Sequence, residues 1–192
     1  MRKLPLTLLL ALGSLGGCGE LTDEPVDDTV VETSAALTTN PFKLHNYQTN
    51  LCMGVAAGTP TVGTKLVTWT CDNSANQTWH KGGAATASPD FFLLVNHVAE
   101  DRCLHNHASD GDQSMIAPCA VGWWHESFKP IFSFSITDAD NVTHECYRFA
   151  SLEDSTKVIG VIGGHTTPGS QIMMWGDFNN RFTHPDQFWC IY

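Results

Sequence analysis

A pattern of cysteine, tryptophan and glutamine recurs three times after residue 50, and this repeat restricts the choice of fold more than any other feature of the sequence. The first copy consists of LCMGV (51–55), VTWTC (67–71) and NQTW (76–79). The second consists of RCL (102–104), APC (117–119) and ESF (126–128), and the third of ECY (145–147), MMWGD (173–177) and DQFW (186–189). Short apolar or alternating segments, interrupted by Gly, Pro, Asn and Asp, separate these landmarks. The pattern predicts many short strands joined by tight turns, and therefore an all-β fold.

The combination of a first cysteine, a Trp-x-Cys segment and a closing Gln-x-Trp resembles the repeat of ricin B-type lectin domains. The resemblance extends over nearly all of residues 41–192 and implies a disulfide-stapled β-trefoil, in which three similar units close around a pseudo-threefold axis. Trp79, Phe128 and Trp189 are then expected to be large buried side chains, and each closing Gln to pair with backbone groups that burial would otherwise leave unsatisfied. The second unit departs from the pattern at its closing motif, and the third lacks the second cysteine.

The cysteines beyond the N-terminal region number six, an even count that is typical of an exported, disulfide-bonded protein. The resemblance implies two bonds inside single units, Cys52–Cys71 and Cys103–Cys119. Cys146 and Cys190 are then left over, and we expect them to pair by elimination.

Sugar-binding members of this family use an Asp about two residues after the first Cys, an aromatic ring just before the second Cys, and an Asn or Asp beside the closing Gln. A flat ring and a polar acceptor complement the apolar face and the hydroxyl groups of a pyranose. Carried over to the first unit, the resemblance implies a carbohydrate site made of Trp69, Asn76 and Gln77. Gly54 stands at the acceptor position, where the family has Asp.

The other two units match the family's sugar site less well. In the third unit the resemblance implies a site made of Trp175, Asp186 and Gln187, with Arg148 at the acceptor position. The second unit has His105 at that position and no aromatic platform, because alanine stands there. We therefore expect the second pocket to be inactive.

The N-terminal region has the features of a bacterial lipoprotein leader. Arg2 and Lys3 precede a short apolar segment that ends at Leu15-Gly16-Gly17-Cys18, which resembles a lipobox. We predict a signal peptide over residues 1–17, a lipid anchor on Cys18, and an acidic disordered tether over residues 18–40. These predictions place the domain of residues 41–192 at the bacterial outer membrane or cell surface, or outside the cell if Cys18 is not lipidated.

The net charge of −10 argues against nucleic acid as a partner, because the chain would repel phosphate groups. No catalytic residues or cofactors are predicted: the cysteines are paired, and the sequence contains no nucleophile elbow or phosphate-binding glycine loop. His105-Asn106-His107 would place two imidazoles on one face of a strand, but no third ligand follows at the spacing of a zinc site. We therefore predict no metal site, and interpret these residues as surface histidines.

Trp123 and Trp124 leave two interpretations open. They form part of an exposed aromatic patch for a protein partner, or one of them replaces the missing closing Trp in the core of the second unit. The sequence as a whole predicts a non-catalytic carbohydrate-binding module with glycans as its partners. The alternative is a protein-interaction subunit that has lost its lectin sites and resembles the binding subunits of cytolethal distending toxins.

Overall fold

The computed structural model describes residues 40–85, 88–120 and 123–192. The signal peptide, the lipidated Cys18 and all but the last residue of the tether lie outside the described residues, so these three features stay predictions. Within the described part of the chain, every helix is a single 3-10 turn, and none has the length or the apolar character needed to cross a membrane.

Four strands make up each unit in the described residues, and their order follows the sequence repeat. The first unit holds β1 (Phe42–Asn46), β2 (Cys52–Val55), β3 (Leu66–Trp69) and β4 (Thr78–Ala85). The second holds β5 (Ser88–Asn96), β6 (Arg102–His105), β7 (Met115–Pro118) and β8 (Ser127–Thr137). The third holds β9 (Thr143–Ser151), β10 (Lys157–Val161), β11 (Ile172–Gly176) and β12 (Trp189–Ile191).

Six of these strands form a closed barrel. β1 pairs with β4, β4 with β5, β5 with β8, β8 with β9, β9 with β12, and β12 returns to β1, all antiparallel. The remaining strands form three hairpins, β2–β3, β6–β7 and β10–β11, one for each unit. A six-stranded barrel with three such hairpins is a β-trefoil, as predicted.

The closing aromatic residues lie in the core, as predicted. Trp79, Phe128 and Trp189 are each 0% exposed. The indole Nε1 of Trp79 donates to the carbonyl oxygen of Met53 at 3.1 Å, and that of Trp189 donates to Ile159 at 3.1 Å. Burial of each ring contributes about 2–3 kcal/mol.

The closing glutamines pair with the backbone in the same way in the first and third units. Gln77 accepts from the Asp72 N–H at 2.9 Å and donates to the Thr70 carbonyl at 2.8 Å. Gln187 donates to the Gly176 carbonyl at 2.7 Å and accepts from the N–H of Phe178 at 3.2 Å. The predicted structural role of this motif is therefore confirmed.

All three expected disulfides are present. Cys52–Cys71 and Cys103–Cys119 close loops of 19 and 16 residues inside their units, and Cys146–Cys190 joins β9 to β12 over 44 residues. The third bond has a different place in the fold, because Cys146 and Cys190 are directly opposite each other on barrel strands. It does not replace the bond that the third unit lacks.

The alignment of the third unit at Cys146 was wrong. The position of Cys52, which pairs with Trp69, is occupied in the third unit by Val158, which pairs with Trp175. The residue two positions later is therefore Gly160, and Arg148 does not stand at the acceptor position. The reason is that Cys146 belongs to a barrel strand and only imitates the spacing of the hairpin cysteine.

Candidate functional site

The first-unit pocket lies between the β2–β3 hairpin and the 3-10 turn Ala75–Gln77. It has a volume of about 550 Å³, and its lining includes both predicted polar residues, Asn76 and Gln77, and the predicted platform Trp69. The structure thus brings together the three residues that the resemblance assigned to this site.

Trp69 has the exposure that a stacking platform requires. It ends β3, and its side chain is 50% exposed even though the opposite residue, Cys52, is fully buried. Gly169, which has a φ of 89°, lies beside the ring, and a Cβ at that residue would be 3.3 Å from Cζ3 of Trp69. A larger residue at this position would crowd the indole, so a glycine here lets the backbone pass close to the ring.

The absence of a side chain at Gly54 shapes the floor of the pocket. A Cβ there would lie 3.0 Å from Cγ of Gln77 and 3.6 Å from Nδ2 of Asn76. Nδ2 of Asn76 donates to the carbonyl oxygen of Val55 at 3.2 Å, which leaves Oδ1 as the acceptor that the amide offers to a ligand. Gln77 is 1% exposed and bonded to backbone groups, so it supports the wall of the pocket.

Asp72 is a pocket residue that the sequence reasoning missed. It lines the same pocket as Trp69 and Asn76, and its Oδ1 accepts hydrogen bonds from the hydroxyl and, at 2.8 Å, from the backbone N–H of Ser74. These bonds, the hydroxyl bond first, lower the pKa of Asp72. The pocket therefore has an ionised carboxylate at its rim although Gly54 supplies none. The only sequence signal for it is its place directly after Cys71.

The third unit repeats the backbone arrangement of the first-unit pocket, with Gly160 at the position of Gly54, but different side chains surround this glycine. A Cβ at Gly160 would lie 3.0 Å from Oδ2 of Asp186, 3.1 Å from Cγ of Gln187 and 3.3 Å from Cδ1 of Trp175. The predicted residues are thus brought together here as well. The carboxylate of Asp186, however, lies closer over Gly160 than the amide of Asn76 lies over Gly54.

The third-unit pocket also differs from the first in how deeply its Trp is buried. Trp175 is half-buried, and its Nε1 is buried without a hydrogen-bond partner in the described structure. Burial raises the pKa of Asp186. Arg148 is 5% exposed and forms an ion pair with Asp177, so it takes no part in this pocket.

The second unit offers no platform, because Ala117 is a small residue that is 8% exposed. Glu126 stands in the place of the closing glutamine: its Oε2 accepts from the Ala120 N–H at 2.8 Å, and its Oε1 lies 3.3 Å from Nδ1 of His105. Burial lowers the pKa of His105. His125 occupies the position of Asn76 in the first unit, since each precedes the closing residue.

Trp123 and Trp124 are 61% and 65% exposed, so the interpretation of one of them as a core residue was wrong. Phe128 is the buried closing aromatic residue of the second unit. The two residues do not lie on a strand: Trp123 precedes the 3-10 turn Trp124–Glu126, and both rings project from this turn. Their role as a contact for a protein partner stays a prediction.

The sequence and the fold have recognisable relatives. A family model described as a ricin-type β-trefoil lectin domain-like region matches residues 32–118. No curated protein sequence matches the chain.

Among solved structures, the designed threefold-symmetric protein ThreeFoil superimposes with a TM-score of 0.63 at 14% identity, covering 79% of this chain and 96% of ThreeFoil. A ricin B-like lectin of Macrolepiota procera, solved with lactose, has a TM-score of 0.57 at 15% identity, covering 80% and 95% of the two chains. An exo-β-1,3-galactanase from Clostridium thermocellum has a TM-score of 0.62 at 22% identity over 80% of this chain. The match spans only 30% of the galactanase. At these identities the likeness is one of fold.

Proposed function

We propose that this chain, which contains a ricin B-type β-trefoil domain, is a non-catalytic carbohydrate-binding module whose binding site is the first-unit pocket. The observation that carries the proposal is the half-exposed indole of Trp69 beside a pocket that also holds the free amide oxygen of Asn76. An exposed indole face beside polar acceptors complements a pyranose, which has one apolar face and several hydroxyl groups.

The chemistry of the first-unit pocket suits a pyranose. The indole face of Trp69 packs against the apolar face of the sugar, and the Asn76 oxygen and the Asp72 carboxylate accept hydrogen bonds from its hydroxyl groups. Asp72 thereby takes over the part that an Asp at position 54 has in the family. The lectin that was solved with lactose makes galactosides the first class of ligand to test.

The proposal includes display at the bacterial cell surface. The apolar leader and the lipobox-like Leu15–Cys18 segment support a lipid anchor, and the acidic stretch that follows supports a tether. A single shallow sugar site binds weakly, and many anchored copies on one surface would raise the effective strength through multivalency.

A glycan array that includes lactose tests the sugar-binding proposal. We expect the wild-type chain to bind a subset of glycans, Trp69→Ala to lose about tenfold or more in affinity, and Trp175→Ala to stay within about twofold. Trp124→Ala is the matched control, because it removes another exposed indole, at 65% against 50% for Trp69, that lies outside the pocket. Absence of binding to every glycan, or equal losses for Trp69→Ala and Trp124→Ala, would refute the proposal.

A protein-interaction role is the second candidate function, and the exposure of Trp123 and Trp124 is the observation in its favour. It ranks below sugar binding because the first-unit pocket retains a platform and polar acceptors. If this candidate were correct, Trp123→Ala and Trp124→Ala would abolish co-purification of a partner, and Trp69→Ala would leave it intact.

A further inference from the structure

The second unit, which has no sugar platform, contains a cluster of side chains that are common metal ligands. His107, His125 and Glu153 each direct one ligand atom toward the others, and these atoms lie within 4.8 Å of one another. The three residues come from three separate segments: the loop after β6, the 3-10 turn Trp124–Glu126, and the connection from β9 to β10. Glu153 is distant in sequence from both histidines and belongs to the third unit, so the spacing around His105–His107 does not reveal it as a third ligand.

The backbone holds the two histidines of this cluster next to each other. The Asn106 N–H donates to the carbonyl oxygen of His125 at 2.8 Å, which fastens the turn to the end of β6. The imidazole centroids of His107 and His125 are 4.3 Å apart. His105 lies against both rings, at 5.2 Å and 5.5 Å between centroids.

Glu153 is already oriented for ligation. Its Oε2 accepts a hydrogen bond from the Ala108 N–H at 2.8 Å and lies 2.8 Å from Nδ1 of His125. Its own backbone N–H donates to the hydroxyl of Ser151 at 3.1 Å. Carboxylates and imidazoles held by such outer contacts are the usual arrangement around a bound transition metal.

We propose that His107, His125 and Glu153 bind one divalent transition-metal ion, with Zn²⁺ as the ion to test. Two imidazole nitrogens and a carboxylate oxygen are a common ligand set for this ion, and three protein ligands leave one position open. Zinc ligands at about 2.0–2.2 Å from the metal are roughly 3.3 Å apart in a tetrahedral site. The three ligand atoms lie within 4.8 Å of one another, so ligation requires them to approach by about 1.5 Å at most.

One ligand of this site has a counterpart in the sugar pocket of the first unit. His125 stands at the position of Asn76, and the neighbouring His105 stands at the position of Gly54, so equivalent positions of the repeat carry different side chains. Because Glu153 belongs to the third unit, a bound ion would also link the second unit to the third. The inference does not depend on sugar binding.

Calorimetric titration of the full chain with ZnCl₂ tests this proposal. The chain should carry no histidine tag and should contain Cys18→Ser, which removes a competing thiol. We expect one Zn²⁺ per chain, a loss of about 100-fold in affinity for His107→Ala and for His125→Ala, and about tenfold or more for Glu153→Gln. Co²⁺ should give a visible absorption spectrum that His125→Ala abolishes.

Two control variants make the result specific. His165→Ala removes an exposed histidine outside any cluster, and it should leave the titration unchanged. His97→Ala probes the looser cluster of His80, His97 and Glu100, whose glutamate side chain is 72% exposed, and it should also have no effect.

Unchanged Zn²⁺ binding in a folded His125→Ala or Glu153→Gln variant would overturn the proposal, as would the absence of stoichiometric binding by the wild-type chain. Glu153→Gln covers the case in which His125→Ala does not fold, because Glu153 is on the surface. Glycan binding, measured on the same variants, should be unchanged, so a failure here is distinct from a failure of the sugar-binding proposal.

Discussion

The first-unit and third-unit pockets share one backbone plan but differ in what lies over the glycine at the acceptor position. A Cβ at Gly54 would lie 3.6 Å from Nδ2 of Asn76, whose amide is bonded to the Val55 carbonyl. A Cβ at Gly160 would lie 3.0 Å from the carboxylate of Asp186 and 3.3 Å from Trp175, whose indole is half-buried. A matching set of residue types therefore does not make a matching site. The two units differ in how close the residue beside the closing Gln lies to the glycine, and in how far the Trp is exposed.

The two units also differ in what holds the residue that follows the second hairpin strand. In the first unit this residue is Cys71, and its disulfide with Cys52 joins the two strands of the hairpin to each other. In the third unit Asp177 stands at the position of Cys71 and forms an ion pair with Arg148 of β9, and the side chains of this pair are 16% and 6% exposed. A covalent bond within the hairpin is thus replaced by a largely buried ion pair to a barrel strand.

Removing the Arg148–Asp177 ion pair or the Cys52–Cys71 disulfide should give the largest effects on stability. Asp177→Ala leaves the buried Arg148 guanidinium without its partner and should lower the free energy of unfolding by about 3–5 kcal/mol. The double variant Cys52→Ser/Cys71→Ser should lower it by about 2–4 kcal/mol. Urea unfolding measures both. A loss below about 1 kcal/mol for Asp177→Ala would show that the Arg148–Asp177 ion pair does not stabilise the third unit as proposed.

Replacing the polar residue beside a closing glutamine with Ala should have an intermediate effect. We expect it to lower glycan affinity in the first unit only. Asn76→Ala removes the acceptor that faces the sugar and should weaken glycan binding about fivefold, which corresponds to one hydrogen bond of about 1 kcal/mol. Asp186→Ala is the matched change in the third unit, and it should not weaken binding, because Asp186 contacts no ligand in the wild-type chain. Weaker binding by Asp186→Ala would show that the third-unit pocket contributes to the wild-type affinity.

The smallest expected effect is on the pH dependence of stability. The carboxylates of Asp72 and Asp186 should contribute to it with opposite signs. The pKa of Asp72 is lowered by its bonds to Ser74, so its contribution to stability is present above the unfolded-state pKa and is lost as the pH falls through the folded-state value. The pKa of Asp186 is raised by burial, so the folded state becomes more stable as the pH falls through that raised value.

Carbon-detected NMR titration of the two carboxyl groups measures this difference directly. The midpoint of Asp72 should lie below the usual range for Asp, and that of Asp186 above it. Equal midpoints would mean that the two pockets do not differ in electrostatic environment.

The sequence predicted the parts of the fold that depend on local motifs. Each closing motif packs its ring and bonds its amide within its own unit, so Trp79 and Trp189 were identifiable from a few residues. The third unit's register was not predictable in this way, because Val158 lacks the cysteine that marks the position and Cys146 offers a misleading one.

Residues that act across units also escaped the sequence reasoning. The amide of Asn46 donates to the carbonyl oxygen of Asp186 at 2.8 Å, and that of Asn96 donates to the carbonyl oxygen of Asn76 at 3.0 Å. Each Asn thereby fixes the turn beside a pocket of the preceding unit around the axis. These contacts, like the contact of Glu153 with His125, exist only once the barrel has closed.

The central claim, that sugar binds at the first-unit pocket and not at the third, is tested most directly by the indole N–H signals in ¹H–¹⁵N NMR spectra of the full chain titrated with lactose. The signals of Trp69 and Trp175 are assigned with Trp69→Phe and Trp175→Phe variants. We expect the Trp69 signal to shift with saturation while the Trp175 signal, from a buried Nε1, stays in place. A saturable shift of Trp175 with Trp69 unmoved would contradict the account.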